Sequence, residues 1–196
     1  MKSIYAGLFL IVACCFSVFA TTLDSSDWFG FGGSLGTGGV WSSGSLVENP
    51  EALKNIKGFY RVILETDACV ELRFQKNIVL AGGLYSLFDF KFKNGEHAHS
   101  IDYGFYGGLR IYPELKGFRF GVDYLIGRRN DFIDMVSIGK LQPATQWGNG
   151  FRFLLEYDFF YNNKGVSPVV GAAWRHVPRG GFSDNALSVY LKFLYR

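Results

Sequence analysis

Cysteine is nearly absent. The chain has three in 196 residues, and two of them, Cys14 and Cys15, lie within the first 20 positions. If that segment is a removable leader, only Cys69 remains, no internal disulfide can form, and a cysteine-based metal site has too few ligands. Long hydrophobic runs are missing as well. Beyond residue 20 no stretch of eighteen apolar residues occurs, so no transmembrane helix is expected. Charged residues make up 19%, against the quarter typical of soluble domains. The net charge is only +3, and no basic stretch interleaved with stacking aromatics marks a nucleic-acid groove. Prolines number five, and no low-complexity tract or linker divides the chain.

What the chain has in excess is aromatic residues and glycine. Aromatics reach 18%, with 20 Phe, and Gly numbers 25. Residues 1–20 read as a secretory signal peptide: Lys2 is the charged start, Ile4 to Phe16 the apolar centre, and Val18 to Ala20 a small-residue cleavage site. The tetrad Ile11 to Cys14 also resembles a lipoprotein cleavage box, which would leave a very short leader. With the cut after Ala20, residues 21–196 form one domain. Export without disulfides fits a bacterial envelope protein.

Along most of that length, apolar and polar residues alternate with period two, which means strands. From Phe151 onward one face carries Phe151, Phe153, Leu155, Tyr157, Phe159 and Tyr161, and the other Arg152, Leu154, Glu156, Asp158 and Phe160. Eight such strands are expected: 28–37, 59–74, 78–93, 101–112, 118–127, 151–161, 166–177 and 185–195. Pro168 makes the seventh the weakest. Three connections are short (75–77, 113–117, 162–165) and rich in Asn, Gly, Pro and Lys, the residues of tight turns. The other four (38–58, 94–100, 128–150, 178–184) are read as loops. Short and long alternating around an even number of strands is the pattern of an outer-membrane barrel. The fold class is therefore all-β, an eight-stranded antiparallel up-and-down transmembrane barrel with short periplasmic turns and longer extracellular loops.

Volume decides which face points outward. An eight-stranded barrel is only just wide enough to be filled by side chains, and eighteen aromatics on one face would overfill it. The polar face suits a narrow interior. It carries Arg61, Arg73, Lys91, Lys93, Arg110, Arg119, Arg152, Arg175 and Lys192 against Glu65, Asp67, Glu71, Asp89, Asp102, Asp123, Glu156 and Asp158. Buried charges must be paired, so a balanced set implies an ion-pair network that plugs the lumen.

The architecture resembles the small eight-stranded outer-membrane barrels of the OmpA, OmpX and OmpW kind. Such barrels end in a strand of alternating apolar residues with a terminal aromatic, read by the barrel assembly machinery. Val189, Leu191, Phe193 and Tyr195 fit that pattern, and Arg196 departs from it. The resemblance implies membrane lipid and the assembly machinery as partners and a monomer in the bacterial outer membrane.

Catalytic signals are weak. His97 and His99, with Glu96, Ser100 and Asp102 nearby, form the one spot resembling a catalytic or metal constellation, and a polar external loop explains them equally well. Gly30 to Gly33 and Gly36 to Gly39 lack the helix and Lys-Ser/Thr pair of a phosphate loop. Arg128 and Arg129 are read as the start of a solvated loop at the outer rim, with phosphate contact as the alternative. Cys69 is assigned to the lumen as an inert small residue. The expectation is a structural or surface-exposed barrel with no catalytic residue, metal or cofactor. Two alternatives stand beside it: a narrow route for small apolar compounds, and a lipid-modifying enzyme at the outer rim.

Overall fold

The computed structural model describes residues 28–43, 59–75, 77–113, 115–136, 139–161 and 163–196, with the side chains of Trp28 and Phe74 excepted. The expected leader and its expected cleavage site lie outside them, as does most of the first long loop. Nine strands follow one another: β1 Trp28–Ser43, β2 Tyr60–Gln75, β3 Ile78–Lys93, β4 Glu96–Ile111, β5 Phe118–Met135, β6 Gly139–Leu141, β7 Gly148–Asp158, β8 Val166–Arg179 and β9 Phe182–Tyr195. No helix occurs among the described residues.

All pairings are antiparallel. β1 pairs with both β2 and β9, and β4 pairs with β5, so eight strands close into a barrel; β6 folds back onto the top of β5 outside the ring. Followed from pair to pair once round the wall, Phe31, Val70, Gly82, Gly107, Tyr124, Phe151, His176 and Asn185 lead to Trp41, ten residues above Phe31. A shear of ten residues, at about 3.3 Å each, over eight strands about 4.7 Å apart sets a strand tilt near 40°. Each residue then climbs about 2.5 Å along the barrel axis.

The strands are longer than the sequence pattern suggests, at their upper ends above all. β1 runs to Ser43, β4 starts at Glu96 and β5 continues to Met135. The stretches 94–100 and 178–184 are therefore not loops. The first is a two-residue turn at Asn94 and Gly95, with φ of 50° and 86°, and the second a turn at Gly180 and Gly181, with Gly180 at 68°. Positive φ at both central residues, as at Asn94 and Gly95, or at the first alone, as at Gly180, is what a two-residue hairpin needs to match strand twist. In 128–150, β5 and β6 make a hairpin whose return continues along β5: Asp131 N donates to Pro143 O and Thr145 N to Arg129 O, each at 2.9 Å. β7 lies higher than expected, starting at Gly148 and ending at Asp158, so Phe159 to Tyr161 belong to the turn. Pro168 is accommodated because β7 stops pairing with β8 at Val169; Phe159 N donates to the Pro168 carbonyl just below.

The alternation sorts the wall into two faces. On β5, Phe118, Phe120, Val122, Tyr124 and Ile126 are exposed, while Arg119, Gly121, Asp123 and Leu125 are buried. The outward apolar run ends at Arg128 and Asn130, so the belt spans about 20 Å between Phe118 and Ile126, near the height of a barrel's lipid-facing band. Phe29, Phe31, Phe193 and Tyr195 are exposed near the turn end, and Trp41, Tyr60, Trp147 and Trp174 toward the other. Trp147 folds down from the β6–β7 connection onto Phe105 and Tyr103.

Candidate functional site: the charged lumen and its outer rim

Inward positions of a tilted eight-stranded wall converge on a shaft so narrow that side chains from opposite strands touch. Here the shaft is filled with charge. At the floor, Arg119 donates to Glu71 at 2.8 Å and reaches Glu156, also at 2.8 Å. Tyr112 Oη and Ser167 Oγ donate to Asp158 at 2.8 and 2.5 Å, and the Arg196 side chain turns in beneath them to pair with Asp158. Arg73 lies over the Tyr112 ring, 5.4 Å from its centroid.

One layer up, Asp123 sits between two guanidiniums, Arg110 Nη1 at 2.5 Å and Arg152 Nε at 2.8 Å. Arg152 extends to Asp67 at 3.0 Å, and Tyr106 Oη donates to the other Asp67 oxygen at 2.9 Å. Glu156 accepts from Lys192 Nζ at 3.0 Å and Tyr190 Oη at 2.8 Å. Higher still, Arg175 reaches Asp102 at 2.9 Å and covers the Tyr85 ring. Arg179 bridges Asp102 and Asp184 at 2.5 and 2.6 Å. Arg129 donates to Asp184, Asp131, Ser100 and Ser42. At the mouth Arg61 forks onto Asp89 at 2.7 and 2.9 Å. Glu65 faces the same shaft and is buried.

Of the residues expected to form a lumen network, Glu65, Glu71, Arg110, Arg119, Asp123, Arg152, Glu156, Asp158, Arg175 and Lys192 are buried, Arg73 is partly buried, and Arg61 stands at the mouth with 38% of its side chain exposed. Arg110, Arg119 and Asp123 have no exposed surface at all. A buried ion pair is favourable only with good geometry and further hydrogen bonds to its remaining polar atoms, and removal of one partner leaves a charge that the interior cannot solvate. Cys69 lies in the same shaft, packed with Tyr85, Tyr106, Leu125, Val177 and Leu194. A concavity of about 750 Å³ opens on the outer wall, lined by Leu35, Thr37, Leu64, Leu155, Val170 and Val189 among others.

Sequence reasoning missed several members. Arg129, read as the start of a solvated loop, is 7% exposed and holds the upper network together, while Arg128 next to it faces outward. Asp131, Arg179 and Asp184 were hidden in segments read as loops. The signal was present: inward Arg129, Asp131, Ile133 and Met135 continue the period of β5 to its end. Arg196 carries no period at all.

The His97, His99 and Ser100 constellation separates. Neighbouring residues of a strand point to opposite faces. Ser100 is inside, accepting from Arg129 at 2.8 Å, and Asp102 is inside with Arg175 and Arg179. The two histidines are outside, near Phe90 and level with the top of β5. A Ser nucleophile needs its His within hydrogen-bond reach, and the sheet keeps them apart. In β9, Val189, Leu191, Phe193 and Tyr195 all point outward and are exposed.

No protein-family model matches the chain, and no curated protein matches it. Solved structures do match its fold. The attachment invasion locus protein Ail of Yersinia pestis superimposes with a TM-score of 0.57 at 8% identity, over 86% of this chain and 97% of that one. A second structure of Ail, in complex with the heparin analogue sucrose octasulfate, gives 0.56 at the same identity and coverage. Neisserial surface protein A gives 0.50 at 10% identity, over 85% of this chain and 97% of that one. The fold is that of the small eight-stranded outer-membrane barrels.

Proposed function

We propose that this chain is a bacterial outer-membrane barrel whose lumen is plugged and whose extracellular end is its working surface, with no catalytic role. Its leader is cleaved after Ala20, the barrel assembly machinery reads Val189, Leu191, Phe193 and Tyr195, and the mature domain stands as a monomer among membrane lipids. The observation that carries the closed-lumen reading is the ion-pair column itself, from Arg196 and Asp158 at the floor to Arg61 and Asp89 at the mouth. Tightly paired side chains leave each neighbour held from two sides, as Asp123 is between Arg110 and Arg152. A hydrated ion would have to break several such pairs at once.

The separation of Ser100 from His97 and His99 supports the absence of catalysis. The exposed rim, with Trp41, Tyr60 and Phe92 above the belt, is the part available to partners outside the cell.

The test is single-channel recording of the folded mature chain in a planar bilayer. The proposal expects no sustained conductance, and variants that remove one partner of the upper network, such as Asp184→Ala, are expected to raise the frequency of brief openings. A steady open level in wild type would refute a plugged lumen. Lipid mass spectrometry of cells with His97 and His99 replaced checks the absence of catalysis; a lipid species lost in that strain would refute it.

A further inference from the structure

His97 and His99 occupy alternate positions of β4, so the strand aims both imidazoles at one side of the wall. Their rings lie nearly parallel, 21° apart, with centroids separated by 4.7 Å. Their partners across β5 are Asp134 and Phe132, both above Arg128 and Asn130, where the continuous apolar run of the outward face has ended. The pair therefore stands in the aqueous layer above the lipid belt. We propose that His97 and His99 form a two-nitrogen seat for a divalent transition-metal ion at the extracellular rim.

Several features favour a metal over a bare polar surface. Coordinated imidazole nitrogens lie about 2.0–2.1 Å from zinc and hence about 3 Å from each other. With centroids 4.7 Å apart, the two half-buried rings are close enough to offer one nitrogen each to the same ion. Phe90 meets the His99 ring edge-on, centroids 5.2 Å apart, and fixes its plane. The neutral imidazole is the form that binds metal.

The flanking charges are already engaged. Lys140 pairs with Asp134 at 2.8 Å, and Glu96 accepts from the Val136 amide at 2.7 Å. No cluster of three or more His, Cys, Asp or Glu suited to a metal occurs among the described residues, so water fills the remaining positions. A site with two protein nitrogens and open positions favours Cu²⁺ and Ni²⁺ over Mn²⁺, in the usual order for nitrogen ligands. The third histidine provides an internal control. His176 stands alone on β8, bonded to Asn185 through Nδ1 and stacked on Trp174.

The test is titration of untagged mature chain, folded in detergent micelles, with Ni²⁺ and separately with Zn²⁺. Heat and the histidine side-chain NMR signals are both followed. One ion per barrel is expected, in the micromolar range, with the His97 and His99 signals shifted and those of His176 unmoved. His97→Gln or His99→Gln is expected to weaken binding by about tenfold or more, and His176→Gln to leave it unchanged. His99→Phe, which keeps the ring against Phe90, repeats the test should the glutamine variant fold poorly. Absence of saturable binding up to millimolar metal, or equal affinity in the His97→Gln/His99→Gln double variant, would overturn the proposal.

Discussion

Arg119 and Glu156 are direct partners across β5 and β7, with Nε and Oε2 2.8 Å apart and neither side chain touching solvent. They are not equivalent. Glu156 also serves Lys192, Tyr190 and, at 3.5 Å, Arg110, whereas among the described residues Arg119 has Glu71 as its one further carboxylate partner. Glu156→Gln is therefore expected to cost more than Arg119→Met, each on the order of 3–5 kcal/mol. The double variant should be less damaging than the sum by about 1–3 kcal/mol. Unfolding free energies in detergent for wild type, both singles and the double measure this. Additive, near-zero costs would mean that these charges face water.

Phe153 and Asn130 test the outside of the wall. Phe153 is exposed in the middle of the belt and stacked on Trp174. Phe153→Arg should cost roughly 2–4 kcal/mol in lipid vesicles, the range for a cation near the midplane. Asn130 also points outward but lies above the belt, and Asn130→Arg should change stability by less than about 0.5 kcal/mol. Equal costs at the two positions would remove the distinction between belt and rim.

Two glycines on facing strands test the same division by volume. A Cβ at Gly121 would meet Arg110 Cδ at 2.8 Å and Leu154 Cδ1 at 3.0 Å inside the shaft, whereas one at Gly107 would meet nothing within 4 Å. Gly121→Ala should therefore destabilise by about 1–3 kcal/mol through overpacking, and Gly107→Ala should be close to neutral. Refolding equilibria of both variants in the same vesicles decide it; a benign Gly121→Ala would mean the interior has room to spare.

The last strand carries two separable jobs. Phe193 and Tyr195 face lipid, and an open edge or a charge there is prohibitive in a bilayer. Phe193→Asp or Tyr195→Asp should abolish the heat-modifiable folded band on gels. Arg196 acts from the other side, pairing with Asp158 and donating to the Phe160 carbonyl at 3.2 Å. Arg196→Ala should still insert, with a folded band that is lost at lower temperature than in wild type. Normal folded protein from both aspartate variants would contradict the assembly role.

Much of the wall was legible because lipid leaves a strong mark on sequence. Between Phe118 and Ile126 every outward residue is apolar, so the period is plain and the inward charges stand out by contrast. Above Arg128 that contrast fails. Outward Arg128, Asn130 and Asp134 are as polar as inward Arg129 and Asp131, and a true strand there reads as a loop. The turn at Asn94 and Gly95 was nonetheless within reach, since Asn-Gly is the strongest short hairpin signal; the polar, histidine-bearing residues after it obscured it. Arg196 was visible only as a departure from a terminal aromatic. Its place at the floor depends on Asp158 and Tyr112, which are distant in sequence and brought together by closure of the barrel.

The most direct measurement is the solvent dependence of folding. The mature chain is transferred from denaturant into detergent micelles and, in parallel, into plain buffer, with secondary structure followed by circular dichroism and size by sedimentation. With the aromatics outward and the charges inside, β-structure and a heat-modifiable monomer should form in micelles, and the chain should aggregate in buffer. A folded, monodisperse monomer in plain buffer would show that the aromatic face is inside and would contradict the account.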